Sequence, residues 1–209
     1  MREILVLGDS HANQLNLFFD QLGEELGFRA RVITGSSCVT IPGFDYQRIS
    51  EWAQKACIKQ IKVGQRYLAD VQMIFVVGSW SYHAQSIEFI QALEAFIRQM
   101  KDKNKRVILL SQVPRFTQSA LRIQRFNMLG LNPQLEKDAA YQVANERLAN
   151  MVSRYTNAQF LSLDDLPIFS EAPFFQGKLI YRDEHHINEI GARAYATDAL
   201  PYFSKLFEE

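Results

Sequence analysis

Five short runs of apolar, largely branched residues recur along the chain, and their alternation with helical stretches constrains the fold more than any other feature. The runs are residues 3–8, 30–33, 73–78, 107–110 and 159–163, each bounded by turn residues and each reading as a buried strand. Between them, apolar residues repeat at helical spacing over 12–26, 47–69, 84–100 and 134–154. A last helix follows Asn188, which is placed to cap it, and Pro201 is expected to break its C-terminal part. Strands alternating with helices imply an α/β fold: a parallel sheet with helices on both faces. At 209 residues the chain fits one domain with a sizeable core. No repeat, low-complexity tract or linker divides it, so residues 1–209 read as a single domain.

Some helices declare their buried side clearly and others do not. Leu15, Phe18, Phe19, Leu22 and Leu26 make one stripe, and Gly27 is a fitting stop. The stripe over 47–69 reads as Ile49, Trp52, Ala56, Ile61 and Leu68, and that over 134–154 as Leu135, Ala139, Val143, Leu148 and Val152. In residues 115–133, Arg115, Arg122 and Arg125 alternate with Phe116, Leu121, Phe126 and Met128. That pattern suits a flap over a site or a cover for the core, and the cover fits better.

The charges balance, with 23 basic and 23 acidic side chains, which argues against nucleic acid as a partner because phosphate binding shows as basic excess. No apolar run approaches the roughly 20 residues of a membrane span, and strand-like sequence from Glu3 leaves no leader peptide in view. The compartment is unknown from this chain. Two cysteines, Cys38 and Cys57, are too few for a structural zinc site. Paired, they would close a loop of about twenty residues, worth about 3 kcal/mol in the chain-entropy model; unpaired, they are two buried thiols. Neither a metal nor any other cofactor is expected.

The chemistry points to the two ends of the chain. Gly8-Asp9-Ser10-His11-Ala12 puts Ser10 at the carboxyl end of the first strand, the edge at which open α/β sheets bind ligands. A hydroxyl there is a candidate nucleophile only if a base can take its proton. Of four histidines, His185 and His186 lie in Tyr181-Arg182-Asp183-Glu184-His185-His186-Ile187-Asn188. The Asp183 to His186 offset lets the acid orient the imidazole, so Ser10, His186 and Asp183 are read as a catalytic triad. The small residues Gly35-Ser36-Ser37 after strand two allow close backbone approach, suited to an oxyanion donor or to an ordinary turn. Asp9 reads as a residue that hydrogen-bonds the serine turn, His11 as a surface residue or a neighbour of the site, and His83 as an outside candidate for lining the pocket.

With these motifs the chain resembles the SGNH (GDSL-type) hydrolases. It resembles most a subgroup of extracytoplasmic domains fused to, or partnering, integral-membrane O-acyltransferases that decorate bacterial surface polysaccharides. The features in common are Gly8-Asp9-Ser10-His11-Ala12, the loop to Cys38, Cys57, a Trp after strand three, and Tyr181-x-Asp183-x-x-His186-Ile187-Asn188-x-x-Gly191-Ala192. The resemblance implies a flavodoxin-like three-layer α/β/α sandwich on a five-stranded parallel sheet. It implies Ser10 as nucleophile, His186 as base and then acid, and Asp183 as its orienting partner. The N–H groups of Ser10 and Gly35 would form the oxyanion hole. The family's third donor is an Asn after strand three; here Trp80 stands in its place, either at the substrate or packed under the sheet edge. The resemblance also favours a Cys38–Cys57 disulfide and a periplasmic or other extracytoplasmic location. The subgroup's further cysteines before Asp183 are missing, so that loop must be held in another way. The expected activity is serine-dependent esterase or O-acyltransferase chemistry, with acetyl or another short acyl group moved to, or hydrolysed from, carbohydrate. Expected partners are a carbohydrate or small ester substrate and a membrane acyltransferase domain. The rival is a non-catalytic carbohydrate-binding module on the same fold. A nucleotide binder fits poorly, because the first loop lacks phosphate-cradling glycines.

Overall fold

A computed structural model describes residues 2–208 other than Asn132 and Gln134. Five parallel strands, β1 (Arg2–Gly8), β2 (Phe28–Thr34), β3 (Met73–Val77), β4 (Arg106–Leu110) and β5 (Ala158–Leu161), form one sheet in the order β2-β1-β3-β4-β5. The order reverses beside β1, and the crevice at such a switch point is where these sheets bind ligands. β1 and β3 are central and read as continuous apolar runs because both their faces are covered.

Alternation along each strand separates two cores. Ile4, Val6, Phe75, Val77, Ile108 and Leu110 face one side, where α2 (Asn16–Leu26) and α8 (Glu189–Glu208) pack with Phe18, Phe19, Tyr195 and Phe203. Leu5, Leu7, Ile74, Val76, Val107 and Leu109 face the other, under α3 (Glu51–Tyr67), the single turn α4 (Trp80–His83), α5 (Ile87–Asp102) and α7 (Ala140–Val152). The three-layer sandwich expected from the alternation is the observed architecture.

The first expected helix is split into a single turn, α1 (Ser10–Asn13), and α2, which ends at Gly27 in the left-handed conformation, φ 70°. The buried side of α3 is Ala53, Cys57 and Gly64, whereas Trp52 is 75% exposed. Of the expected stripe over 47–69, Ile49 and Leu68 are buried and Ile61 packs on the core, while at Trp52 and Ala56 the buried positions are the next ones along, Ala53 and Cys57. Small residues let this helix approach the sheet closely: a Cβ on Gly64 would lie 3.0 Å from Leu7 Cδ2. The helix expected over 134–154 is α7, which begins at Ala140 and buries Tyr141, Ala144, Leu148 and Met151, leaving Val143 exposed. Residues 115–133 contain α6 (Ala120–Met128), and the segment buries Phe116, Ala120 and Ile123 as a cover while Met128, Leu129 and Leu131 are exposed.

Pro201 does not break α8, which runs through it. Pro201 and Thr197, four residues earlier, both lie on the exposed side, so the missing hydrogen bond falls where water can serve the free carbonyl. The loop before Asp183 is held without cysteines, by the buried Ile168, Phe169, Ile180 and Tyr181 and by a small hairpin, β6 (Phe174–Phe175) with β7 (Lys178–Leu179).

Candidate active site

The site forms where the loops after all five strands of the sheet converge. Gly8 ends β1 because nothing larger fits: a Cβ there would lie 2.0 Å from the Val77 carbonyl oxygen and 2.6 Å from Ala12 Cβ. Asp9 then caps α1, its Oδ1 accepting from His11 N at 2.7 Å, and Ser10 opens the helix. Asp9 Oδ2 accepts from Ser79 N at 2.9 Å and from His83 Nε2 at 2.8 Å. Arg48 Nη2 lies 2.6 Å from His83 Nδ1, and a guanidinium can only donate. The His83 ring therefore carries its proton on Nε2 and gives it to Asp9. Burial works against the Asp9 charge, but these donors and the nearby imidazoles hold its carboxyl well below the usual range.

The other end of the chain reaches the same place. Phe116 N donates to Glu184 O at 2.8 Å, the buried Tyr181 hydroxyl donates to Pro114 O at 2.8 Å, and Ile187 N donates to Gln14 Oε1 at 2.7 Å. Asn188 Oδ1 accepts from Gly191 N at 3.0 Å, capping α8 as expected. Between these anchors Asp183 Oδ1 accepts from the N–H groups of His185 and His186 at 2.9 and 2.7 Å, and Oδ2 lies 2.7 Å from His186 Nδ1. Burial again opposes ionisation, and the His186 and backbone hydrogen bonds outweigh it, so Asp183 also sits well below the usual carboxylate pKa. His186 Nε2 lies 2.8 Å from Ser10 Oγ. The structure thus brings Ser10, His186 and Asp183 into one hydrogen-bonded line.

A cavity of about 270 Å³ opens beside Ser10, lined by Asp9, His11, Ser37, Tyr82, Arg115 and His185, among others. Arg115 is braced by Asp138 Oδ2 at 3.0 Å and donates to Ser81 Oγ at 3.0 Å. His11 is buried against His185, with Nε2 3.1 Å from His185 Nδ1. Burial pushes its pKa down to about 3 despite the opposing pull of Asp9, and burial likewise lowers that of His185.

Gly35 is not placed as expected, and of the two readings of Trp80 the packed one holds. Gly35 extends the β1–β2 pairing by one residue, so its N–H is spent on the Gly8 carbonyl at 3.2 Å and is not free for an oxyanion. Trp80 is fully buried, and its indole N–H donates to the Leu110 carbonyl at 2.6 Å. With one donor, already used inside the core, it cannot also serve the substrate. Cys38 and Cys57 are joined by a disulfide, which ties the loop after β2 to α3. Next to it Ser37 holds φ at 52°, an uncommon angle for a residue with a side chain.

Gln14, Arg48, Tyr82 and Arg115 escaped the sequence reading as site residues. Arg115 carried the only signal, as the first basic residue after strand four. His83 is not in the pocket wall but behind it, holding Asp9.

The chain belongs to the SGNH domain family, in the branch described as fused to AT3 domains, whose family model matches residues 1–201. No curated protein matches the chain. Among solved structures it is similar to the periplasmic domain of a lipopolysaccharide acetyltransferase from Salmonella ser. Paratyphi A, with 16% identity, a TM-score of 0.68, and 97% of this chain and 84% of that one covered. A possible lipase from Chitinophaga pinensis is 10% identical with a TM-score of 0.60 and full coverage of both chains (100% and 100%). A salicylyl-acyltransferase from a tetracycline biosynthetic pathway is 12% identical with a TM-score of 0.59, covering 98% of this chain and 55% of that one. At these identities the likenesses establish the fold.

Proposed function

We propose that the protein catalyses serine-dependent acyl transfer, with Ser10 as nucleophile, His186 as general base and then acid, and Asp183 holding the imidazole. The observation that carries the reading is the Ser10–His186–Asp183 line, two contacts of 2.8 and 2.7 Å. Asp183 accepts the Nδ1 proton, which leaves the Nε2 lone pair facing the hydroxyl. In the reaction Ser10 Oγ attacks an ester carbonyl while His186 takes its proton. The oxyanion is held by backbone N–H groups, the alcohol leaves with the proton from His186, and an acyl-serine remains. A second hydroxyl then gives its proton to His186 and accepts the acyl group. With Gly35 engaged, we assign the oxyanion to the N–H groups of Ser10 and of Ser37, which lines the cavity from the disulfide-tethered loop.

The acceptor we favour is a carbohydrate hydroxyl, and the acyl group acetyl or another short chain. Support comes from the AT3-fused family, from the periplasmic lipopolysaccharide acetyltransferase domain that shares the fold, and from the exposed Tyr82 ring on the cavity rim, since aromatic faces pack well against sugars. The disulfide supports an oxidising, extracytoplasmic compartment, with a membrane AT3 domain supplying the acyl group. A carbohydrate-binding module without catalysis is the second reading, favoured by the lack of a side-chain amide where Trp80 stands; the aligned relay weighs against it. The test is p-nitrophenyl acetate hydrolysis by wild type and Ser10→Ala, with and without an oligosaccharide acceptor. A fluorophosphonate should add covalently to Ser10. Equal rates for the two proteins and no label on Ser10 would refute the enzymatic reading.

A further inference from the structure

Three of the chain's four histidines stand together beside Ser10, although the proposed reaction needs only one. The ring centroids of His185 and His186 are 4.0 Å apart, those of His11 and His186 5.0 Å, and those of His11 and His185 5.2 Å. One nitrogen from each ring lies within 4.8 Å of the other two. His11 Nε2 and His185 Nδ1 are already 3.1 Å apart. Around a tetrahedral zinc ion with ordinary Zn–N bonds, ligand nitrogens sit about 3.3 Å from one another. One edge of such a site is therefore in place, between the buried His11 and the half-buried His185, and the rest needs a tilt of His186, whose side chain is 12% exposed.

We infer that His11, His185 and His186 form a binding site for a divalent transition-metal ion, zinc foremost, and that occupation of this site draws His186 away from Ser10. The inhibitory half rests on His186 being the base; the binding half does not. Imidazole ligands suit zinc, and three of them with one position open to water is an established donor set for it. His186 is also held as metal-bound histidines usually are, with its other nitrogen on a carboxylate, Asp183 Oδ2 at 2.7 Å. Its Nε2 lone pair can take the Ser10 proton or the metal, but not both. His11 must offer Nε2, so its proton moves to Nδ1. The contact given up there is a long one, 3.5 Å to the Gln14 amide nitrogen. His83 cannot contribute, because Asp9 and Arg48 occupy both its nitrogens.

The test uses untagged protein, zinc chloride in calorimetry, and cobalt(II) as a spectroscopic probe. Expected are one ion per chain and the intense visible absorption of tetrahedral cobalt. His11→Phe and His185→Ala should each weaken binding by at least about tenfold; His185 is half-buried, so His185→Ala keeps the test open if His11→Phe does not fold. Saturating zinc should cut p-nitrophenyl acetate hydrolysis by at least about 100-fold, the scale of a lost general base. It should also block fluorophosphonate labelling of Ser10, and a chelator should reverse both effects. No stoichiometric binding, or binding unchanged in both variants, overturns the site. Zinc bound with hydrolysis untouched overturns the inhibitory arrangement. Failure of the catalytic reading is distinct: Ser10→Ala would then hydrolyse ester as wild type does, whatever the metal result.

Discussion

Trp80→Phe separates a packing role from a catalytic one at the position where a third oxyanion donor was expected. The indole N–H donates to the Leu110 carbonyl inside the core, and Trp80 has no exposed surface. Phenylalanine keeps most of the ring but takes the donor away, which costs about 1–3 kcal/mol for the buried acceptor. The smaller ring also leaves roughly 40 Å³ unfilled, worth about 1 kcal/mol at the rate measured for core cavities. The sum, about 2–4 kcal/mol, should lower the urea midpoint by about 1 M with the slope unchanged. Ester hydrolysis at a temperature where both proteins are folded should stay within about threefold of wild type, whereas loss of an oxyanion donor costs about 100–1,000-fold. Unchanged stability with a hundredfold fall in kcat would refute the assignment of Trp80 to the core.

Cys57→Ser should destabilise the protein by about 3 kcal/mol, from the loop that the disulfide closes. It should also lower kcat, because Ser37 loses its tether; chemical denaturation and esterase assays read the two effects separately. Asp9→Asn replaces a carboxylate that meets three N–H donors with an amide that must turn its own N–H₂ toward at least one of them. We expect a loss of about 2–4 kcal/mol, and a gain or no change in the unfolding midpoint would contradict the hydrogen bonds described. Pro201→Ala restores a helical hydrogen bond on the exposed side of α8 and should raise stability by up to about 3 kcal/mol, visible as a rise in Tm.

The sheet was readable because β1 and β3 are covered on both faces, so that β1 from Ile4 onward and all of β3 are apolar. Helix faces were readable where large side chains carry them, as in α2. In α3 the reading held for Ile61, and for Ile49 and Leu68 that flank the helix, but failed at Trp52 and Ala56, where the buried side is Ala53 and Cys57, because hydrophobic periodicity weighs side chains by size and this helix packs closely through small ones. Pro201 was misread because a proline's cost depends on which way the orphaned carbonyl faces, a property of packing and not of the residue. At the site, the offset between Asp183 and His186 was enough to put both with Ser10. The Gly35 oxyanion assignment did not survive because it depended on where a single N–H points, while of the two readings open for Trp80 the structure has the packed one. Gly35 looked free as a small residue in a loop, yet the β1–β2 pairing runs two residues past the apolar run 30–33 and uses its N–H.

The molecule contains two Asp–His pairs that look equivalent by distance, Asp9 with His83 at 2.8 Å and Asp183 with His186 at 2.7 Å. What distinguishes them is the second nitrogen of each ring. In His83 it faces Arg48, which can only donate, so both ring nitrogens are committed and no lone pair is left to accept a proton. That pair is also fully buried, and its product is geometric: it fixes Asp9, Asp9 caps the turn, and the turn aims Ser10. In His186 the second nitrogen faces a hydroxyl that can give up its proton, at the mouth of a cavity. In the proposed mechanism the same interaction, used twice, therefore sets the position of Ser10 in one case and its reactivity in the other. His83→Phe accordingly should disturb stability and the placing of Ser10 together, while His186→Phe should abolish turnover with the Asp9 network intact.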